Sequence, residues 1–177
     1  MSKIKVGIVG VGNCAKSLVE GIQYYNSNPE DKVGLMYDDI GGYTTTDIEF
    51  VVGFDVDRRK VNRPLTEALR AAPNCAMDHV GEILEVGANT PGCVASGAMV
   101  YSGPELDGIA PWMLEYPKEV SFRTGAEAAK SYDDIVDIIK KTKVDVLINY
   151  LPVGTEKGSR FYMDAALDAG VHFVNCI

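Results

Sequence analysis

Apolar and polar positions change period several times along the chain, and each change marks an element. Ile4 to Val9 is a short, largely β-branched run ending in glycine, the pattern of a strand buried on both faces in a parallel sheet. From Asn13 the period lengthens to that of a helix, with Ala15, Leu18, Val19 and Ile22 on one face. Residues 24–47 (YYNSNPEDKVGLMYDDIGGYTTTD) are polar, aromatic and turn-rich, a long connection of the kind that is functional or mobile, and read as an insertion. Ile48 to Phe54 (IEFVVGF) predicts a second buried strand closing on Asp55-Val56-Asp57. Val61 to Ala72 predicts a helix stopped by Pro73. Residues 74–104 carry no clear period apart from a candidate strand, AMVYSG, at 98–103, and Leu106 to Leu114 reads as a short helix around Trp112.

The second half is more regular. Ser131-Tyr-Asp-Asp134 has the form of a capping box opening a helix whose Ile135, Ile138 and Ile139 face inward. Its last turn carries Lys140, Lys141 and Lys143, matching the negative end of the helix dipole. Val144 to Asn149 (VDVLIN) is another strand, LPVG turns it into a helix from about Thr155 to Ala169, and Gly170 is the expected C-cap. Val171 to Cys176 is the next strand. Strand and helix alternate, so the expected fold class is α/β, a doubly wound, mostly parallel sheet with right-handed crossovers.

Composition narrows the chemistry. At 177 residues, 46% apolar and 24% charged, the chain suits one good-sized globular domain, taken as residues 1–177. Net charge is −8 and no Lys/Arg run forms a basic face, which argues against nucleic acid as a partner. An anionic ligand would have to be held by local dipoles or a few placed cations. The four cysteines (14, 75, 93 and 176) make no CxxC pair, so neither a metal site nor a redox motif is expected. MSKIKVGIVG is too short and too quickly glycine-rich for a signal peptide, and no apolar run approaches membrane-spanning length. The expected setting is the cytoplasm, with reduced thiols and no membrane.

The loop after the first strand carries the clearest chemistry. Gly10-x-Gly12-x-x-Ala15 fits the dinucleotide fingerprint of a Rossmann-like, NAD-binding domain. Gly10 permits the tight turn, Gly12 lets backbone approach a pyrophosphate, and Ala15 lets the helix pack close on the sheet. The amides of Asn13, Cys14 and Ala15 would face the anion at the positive end of the helix. Asn13 and Cys14 themselves read as small residues presenting their amides. An acidic partner for the ribose is expected at the end of the second strand, where Asp55 stands; the 24–47 insertion accounts for its distance along the chain. An Asp there favours NAD over NADP, although Arg58 and Arg59 lie close enough to blur the choice. Asp57 reads as a solvated turn carboxylate. Asn149-Tyr150-Leu151-Pro152-Val153-Gly154 ends a strand on the same sheet edge, where ligands of open α/β sheets collect, and Pro152 fits a strand terminator as well as a binding position. No Ser-His-Asp or Cys-His grouping is readable; His172, inside a strand pattern, reads as structural.

At these residues the chain resembles the inositol-1-phosphate (inositol-3-phosphate) synthase family in its short actinobacterial and archaeal form. The resemblance rests on VGVGNCAKSLVEGIQYY, GLMYDDIGGY, DIEFVVGFDVD, GPELDGIAPWM and VDVLINYLPVGTEKGSRFYMDAALDAGVHFVN, in that order along the chain. It implies an isomerase that converts D-glucose 6-phosphate to 1L-myo-inositol 1-phosphate, in inositol and phospholipid biosynthesis, with NAD reduced and reoxidised within one cycle. It implies that Gly10 to Ala15 contact the pyrophosphate, Asp55 the ribose, and Asn149 to Val153 the nicotinamide side. It also implies a homotetramer, and catalytic lysines in an α/β region that would follow residue 177, so the 177 residues alone are expected to be the inactive cofactor-binding half. The rival readings are another Rossmann-type NAD-dependent oxidoreductase and a non-catalytic nucleotide-binding or sensing protein.

Overall fold

The computed structural model describes residues 3–87, 90–125 and 129–177. Met1 and Ser2, at the head of the segment weighed as a leader, and residues 88 and 89 of the aperiodic stretch lie outside the described residues. In chain order the elements are β1 (Ile4–Val9), α1 (Asn13–Ser27), β2 (Ile48–Asp55), α2 (Leu65–Ala68), a two-stranded pair β3 (Val86–Gly87) and β4 (Thr90–Pro91), β5 (Val94–Ser102), α3 (Tyr132–Lys141), β6 (Val146–Asn149), α4 (Glu156–Ala169) and β7 (His172–Asn175). Short 3-10 turns occupy Thr45–Asp47 and Pro111–Glu115.

Five strands form one sheet in the order β5-β2-β1-β6-β7, with every neighbouring pair parallel. The fold is α/β, as the alternation of periods predicts. The chain starts in the middle strand, builds outward to β5, then returns to the other side of β1. The strand order therefore reverses between β1 and β6, and a crevice opens beyond their carboxyl ends.

Two cores sandwich the sheet. On one face Ala15, Val19 and Ile22 of α1 join Leu65 and Ala68 of α2 against Val6, Ile8 and Phe50. On the other, Ile135, Val136 and Ile139 of α3 and Tyr162, Ala165 and Ala166 of α4 pack on Val9, Val52, Phe54 and Leu147. The Ser131 capping box is formed, and Gly170 ends α4 in the left-handed conformation at φ 74°.

Four elements differ from expectation, the first being β5, which begins at Val94, four residues before the run read at 98–103. The helix read over 61–72 shrinks to α2, because Pro64 has no N–H to donate and, at φ −52° and ψ 140°, is itself non-helical, so the helix starts only after it. Residues 62–64 instead line the β5 edge, with Asn62 N–H donating to Val100 O at 2.8 Å and Val100 N–H to Arg63 O at 3.0 Å. The 106–114 helix is only the 3-10 turn at Pro111–Glu115. Helix α1 runs on through Tyr24 and Tyr25 to Ser27, so the excursion before β2 begins at Asn28.

Helix α1 also buries a polar face. Lys16 donates to Ala76 O at 2.7 Å and pairs with Asp78 at 2.5 Å; Glu20 accepts the His79 amide at 2.9 Å; Gln23 accepts the Leu84 amide at 2.6 Å and donates to Glu82 O. The aperiodic 76–84 segment is thus fastened to the helix by side chains, which is why it needs no regular structure of its own.

Candidate functional site

The glycine loop turns at the tip of β1. Gly10 has φ +84°, and a Cβ there would lie 2.7 Å from Tyr150 O, so both conformation and space demand glycine. Its amide donates to Phe54 O at 2.8 Å, tying the loop to β2. Gly12 differs: it is the N-cap of α1 at φ −97°, and nothing lies within 4 Å of a Cβ built there. Among the described residues no side chain caps α1, and its first turn holds no acidic residue. Its positive end is therefore not answered by a capping or acidic side chain of its own. Ala15 is fully buried beneath the loop, where a larger side chain would push the helix off the sheet.

Helix α4 begins at the same sheet edge but is already capped. Asp107, on the loop after β5, accepts the amides of Lys157 at 2.7 Å and Gly158 at 3.0 Å. Burial pushes the Asp107 carboxyl up, but the α4 amides outweigh it and hold the group below the ordinary carboxylate range. Of the two helix starts at the crevice, only α1 has its dipole unanswered.

Asp55 stands at the tip of β2, nearly buried. Oδ2 accepts the Val11 amide of the glycine loop at 2.8 Å, and Oδ1 accepts the amides of Val56 at 2.8 Å and Asp57 at 2.9 Å. Oδ1 is thereby saturated, whereas Oδ2 retains room for one more donor such as a hydroxyl. The buried Lys60 ammonium sits 3.7 Å from Oδ2 and donates to Val11 O and Asn74 Oδ1, both at 2.8 Å. It balances the carboxylate's charge and fixes the loop carbonyl in one stroke.

Two cavities open along this edge. One, of about 270 Å³, is lined by Asp55, Phe54, Leu106, Ile109, Thr155 and Tyr162 among others. The other, of about 350 Å³, is lined by Gly12, Asn13, Cys14, Lys60, Tyr150, Val153 and Cys176 among others. Gly10, Phe122, Leu151 and Pro152 border both, forming the waist of a continuous groove.

Most of the expected residues therefore share one groove: Gly10, Gly12, Asn13, Cys14, Asp55, Tyr150, Leu151, Pro152 and Val153 line it, while Ala15 and Asn149 lie behind it. Asn149 is fully buried; its amide donates to Ser159 Oγ at 3.0 Å and Asn175 Oδ1 at 2.8 Å and accepts the Leu151 amide at 3.1 Å. It shapes the LPVG turn rather than facing the groove. Burial and the neighbouring Cys176 and Cys14 thiols push the Tyr150 phenol upward, so it is a neutral donor at the groove wall.

Two residues behave otherwise than expected. Asn13 is more than a small residue: its Oδ1 accepts the amides of Cys75 and Ala76, both at 2.8 Å, anchoring the 74–78 loop to the first turn of α1. Asp57 is not a solvated turn carboxylate but fully buried. Oδ1 accepts from Arg59 Nε at 2.9 Å and Oδ2 from Arg59 Nη2 at 2.5 Å, a two-pronged pairing. Burial pushes its carboxyl up, but Arg59 and the amides of Arg59 and Arg123 together hold it below the ordinary range. Lys60, Asn74, Phe122 and Tyr162 complete the site and have no sequence motif to announce them. His172, read as structural, is exposed on the edge strand β7.

Among the described residues no cluster of three metal-ligating side chains occurs, and no helix is long and apolar enough to cross a membrane. All four cysteines are free, and burial pushes the Cys93 thiol up to about 12, far from reactive thiolate.

No protein-family model matches the chain. Curated relatives do. It is 42% identical to an inositol-3-phosphate synthase of Mycolicibacterium smegmatis and 40% identical to those of Corynebacterium glutamicum and Mycobacterium tuberculosis, in each case over 99% of this chain. It spans 43–44% of their lengths, so it corresponds to less than half of each. Among solved structures, that of Ari2 superposes with a TM-score of 0.74 at 27% identity, covering 99% of this chain and 45% of that one. A myo-inositol-1-phosphate synthase-related protein from Thermotoga maritima shares the fold with a TM-score of 0.65 at 18% identity, covering 99% of this chain and 48% of that one. From its glycine loop to its last strand, the chain is similar in sequence to the inositol-3-phosphate synthases, over somewhat under half of the length of each.

Proposed function

We propose that the chain is the dinucleotide-binding part of an inositol-3-phosphate synthase that converts D-glucose 6-phosphate to 1L-myo-inositol 1-phosphate, working in the cytoplasm as a homotetramer. The observation that carries the binding assignment is the pairing of an uncapped α1 N-terminus with the bare Cα of Gly12, beside a carboxylate that has one acceptor position to spare. A pyrophosphate suits the first of these, and an adenosine ribose hydroxyl the second.

NAD rather than NADP fits the charges. Asp55 would repel a 2′-phosphate, and Arg59 is engaged by Asp57 and by the carbonyls of Lys118, Glu119 and Ser121. When bound, the nicotinamide would supply a hydride acceptor that returns its electrons within the same cycle, so the net reaction is an isomerisation. The chain's own part is to bind and orient. Gly10 and Gly12 admit the backbone's approach, Asp55 receives the ribose, and Leu151, Pro152 and Val153 add apolar lining to the groove. Among the described residues, none lining the groove is a lysine free to stabilise an enolate or hold a sugar phosphate, since Lys60 is engaged below the loop. Turnover therefore calls for groups from the remainder of a full-length synthase.

Calorimetric titration with NAD tests this. The unaltered chain should bind NAD, and Gly12→Ala, whose methyl meets no protein atom, should lose at least tenfold in affinity while melting as the unaltered chain does. Equal affinity in the variant would contradict the assignment.

A further inference from the structure

Segment 117–123 has no regular secondary structure, yet it is fastened at several points to the tip of β2 and its neighbourhood. Arg59 donates to the carbonyls of Lys118 at 3.2 Å, Glu119 at 3.4 Å and Ser121 at 2.6 Å while its other edge grips Asp57. The Arg58 amide donates to Arg123 O at 2.8 Å, and the Arg123 amide to Asp57 Oδ2 at 3.1 Å. Ser121, nearly buried, donates to Met113 O. What this fastening presents is Phe122, half-buried, the one residue of the segment that borders both cavities.

A strap held on both sides of a single aromatic ring, with that ring at the groove's waist, is more fastening than an exposed loop needs for its own sake. Resting on the dinucleotide reading, we propose that Phe122 is a ligand-contacting residue that packs against a bound dinucleotide where it crosses from the cavity of Asp55 to that of Gly12, and that Arg59, braced by Asp57, is the residue that positions it. The waist it shares with Gly10, Leu151 and Pro152 is otherwise apolar or backbone, so the ring supplies a flat face where the ligand must pass from one cavity to the other. The Asp57–Arg59 pair thus serves the site at one remove: it touches no ligand but fixes the strap that does.

The chain carries its own reporter. Trp112 is the sole tryptophan and shares a further surface cavity with Phe122, so its emission senses the ring's surroundings. NAD affinity and Trp112 emission are measured for the unaltered chain, Phe122→Ala, Phe122→Tyr, Arg59→Lys and the double variant Phe122→Ala/Arg59→Lys. Lysine keeps a charge beside Asp57 but cannot span the three carbonyls as a fork. Phe122→Ala should weaken NAD binding roughly tenfold, the size of one lost aromatic contact, and Phe122→Tyr should restore it. Arg59→Lys should weaken it too, and the double variant should bind no worse than Phe122→Ala alone, because Arg59 acts through the ring. NAD should shift Trp112 emission in the unaltered chain and not in Phe122→Ala. Unchanged affinity in Phe122→Ala would overturn the ring's role, and additive losses in the double variant would overturn that of Arg59. An unaltered chain that binds no NAD would instead overturn the dinucleotide reading, and this proposal with it.

Discussion

The Asp107 carboxylate accepts the Gly158 amide at 3.0 Å across 51 positions of chain, and with the Lys157 amide it closes the first turn of α4. An acidic side chain on one loop has taken the place a phosphate would have at that helix start. Asp107→Ala should destabilise the chain by about 1 kcal/mol, the usual cost of a lost N-cap acceptor, read from urea unfolding. The same variant should gain weak affinity for inorganic phosphate, which NMR titration of the Lys157 and Gly158 amides would reveal. Unmoved amide signals would show that the α4 end does not take anions even when uncapped.

The two fingerprint glycines should separate cleanly. Gly10→Ala places a methyl group 2.7 Å from Tyr150 O at a φ of +84°, and should cost about 1–3 kcal/mol of stability. Gly12→Ala should cost nothing measurable in thermal melting. A reversed order of melting temperatures would mean that the loop relaxes around Gly10 in a way its present geometry gives no hint of.

Gly103 owes its identity to an aromatic neighbour. A Cβ on it would lie 2.0 Å from the Tyr162 hydroxyl but 3.3 Å from the ring carbon that bears it. Gly103→Ala should therefore cost about 1–3 kcal/mol by overpacking. Adding Tyr162→Phe removes the clashing oxygen, so the double variant should be more stable than the sum of the two losses. Simple additivity in denaturant midpoints would place the strain elsewhere.

The Asp57–Arg59 pair has a signed pH dependence. The folded state holds the Asp57 carboxyl below its unfolded value, so its stabilisation is complete above the ordinary carboxylate pKa of about 4 and is lost as pH falls through the lowered value. The difference in melting temperature between the unaltered chain and Asp57→Asn should be flat from pH 5 to 8 and should shrink below about pH 4. A difference that grows on acidification would contradict the pairing.

The sheet was legible in the sequence because strands buried on both faces leave unbroken apolar runs, and α1, α3 and α4 because their inward faces recur at helical spacing. The glycine loop was legible because Gly10 and Gly12 answer to backbone geometry, which leaves a mark at fixed spacing. Asp57 was misread because its partner Arg59 stands only two positions on, and adjacent opposite charges in a turn look like solvated surface until the strap at 117–123 is seen to cover them. The role of Asn13 was hidden for a related reason: the amides it accepts lie more than sixty residues away, in a stretch with no periodicity. Pro64 was there to be read, and it forbids the helix expected through it. Phe122 and Lys60 leave no trace in spacing, since each is placed by contacts that only the folded chain brings together.

The Asn13 side chain makes the phosphate cradle a shared structure. With its carbonyl fastened to the amides of Cys75 and Ala76, and Lys60 and Asn74 both donating to Val11 O, the loop and a distant irregular segment form one block. The motif at residues 10–15 is therefore not portable. Grafted onto another strand and helix it would bring its glycines but not the brace that holds them still, and changes in residues 73–78, far from any fingerprint, would be felt first as a loss of grip on the ligand.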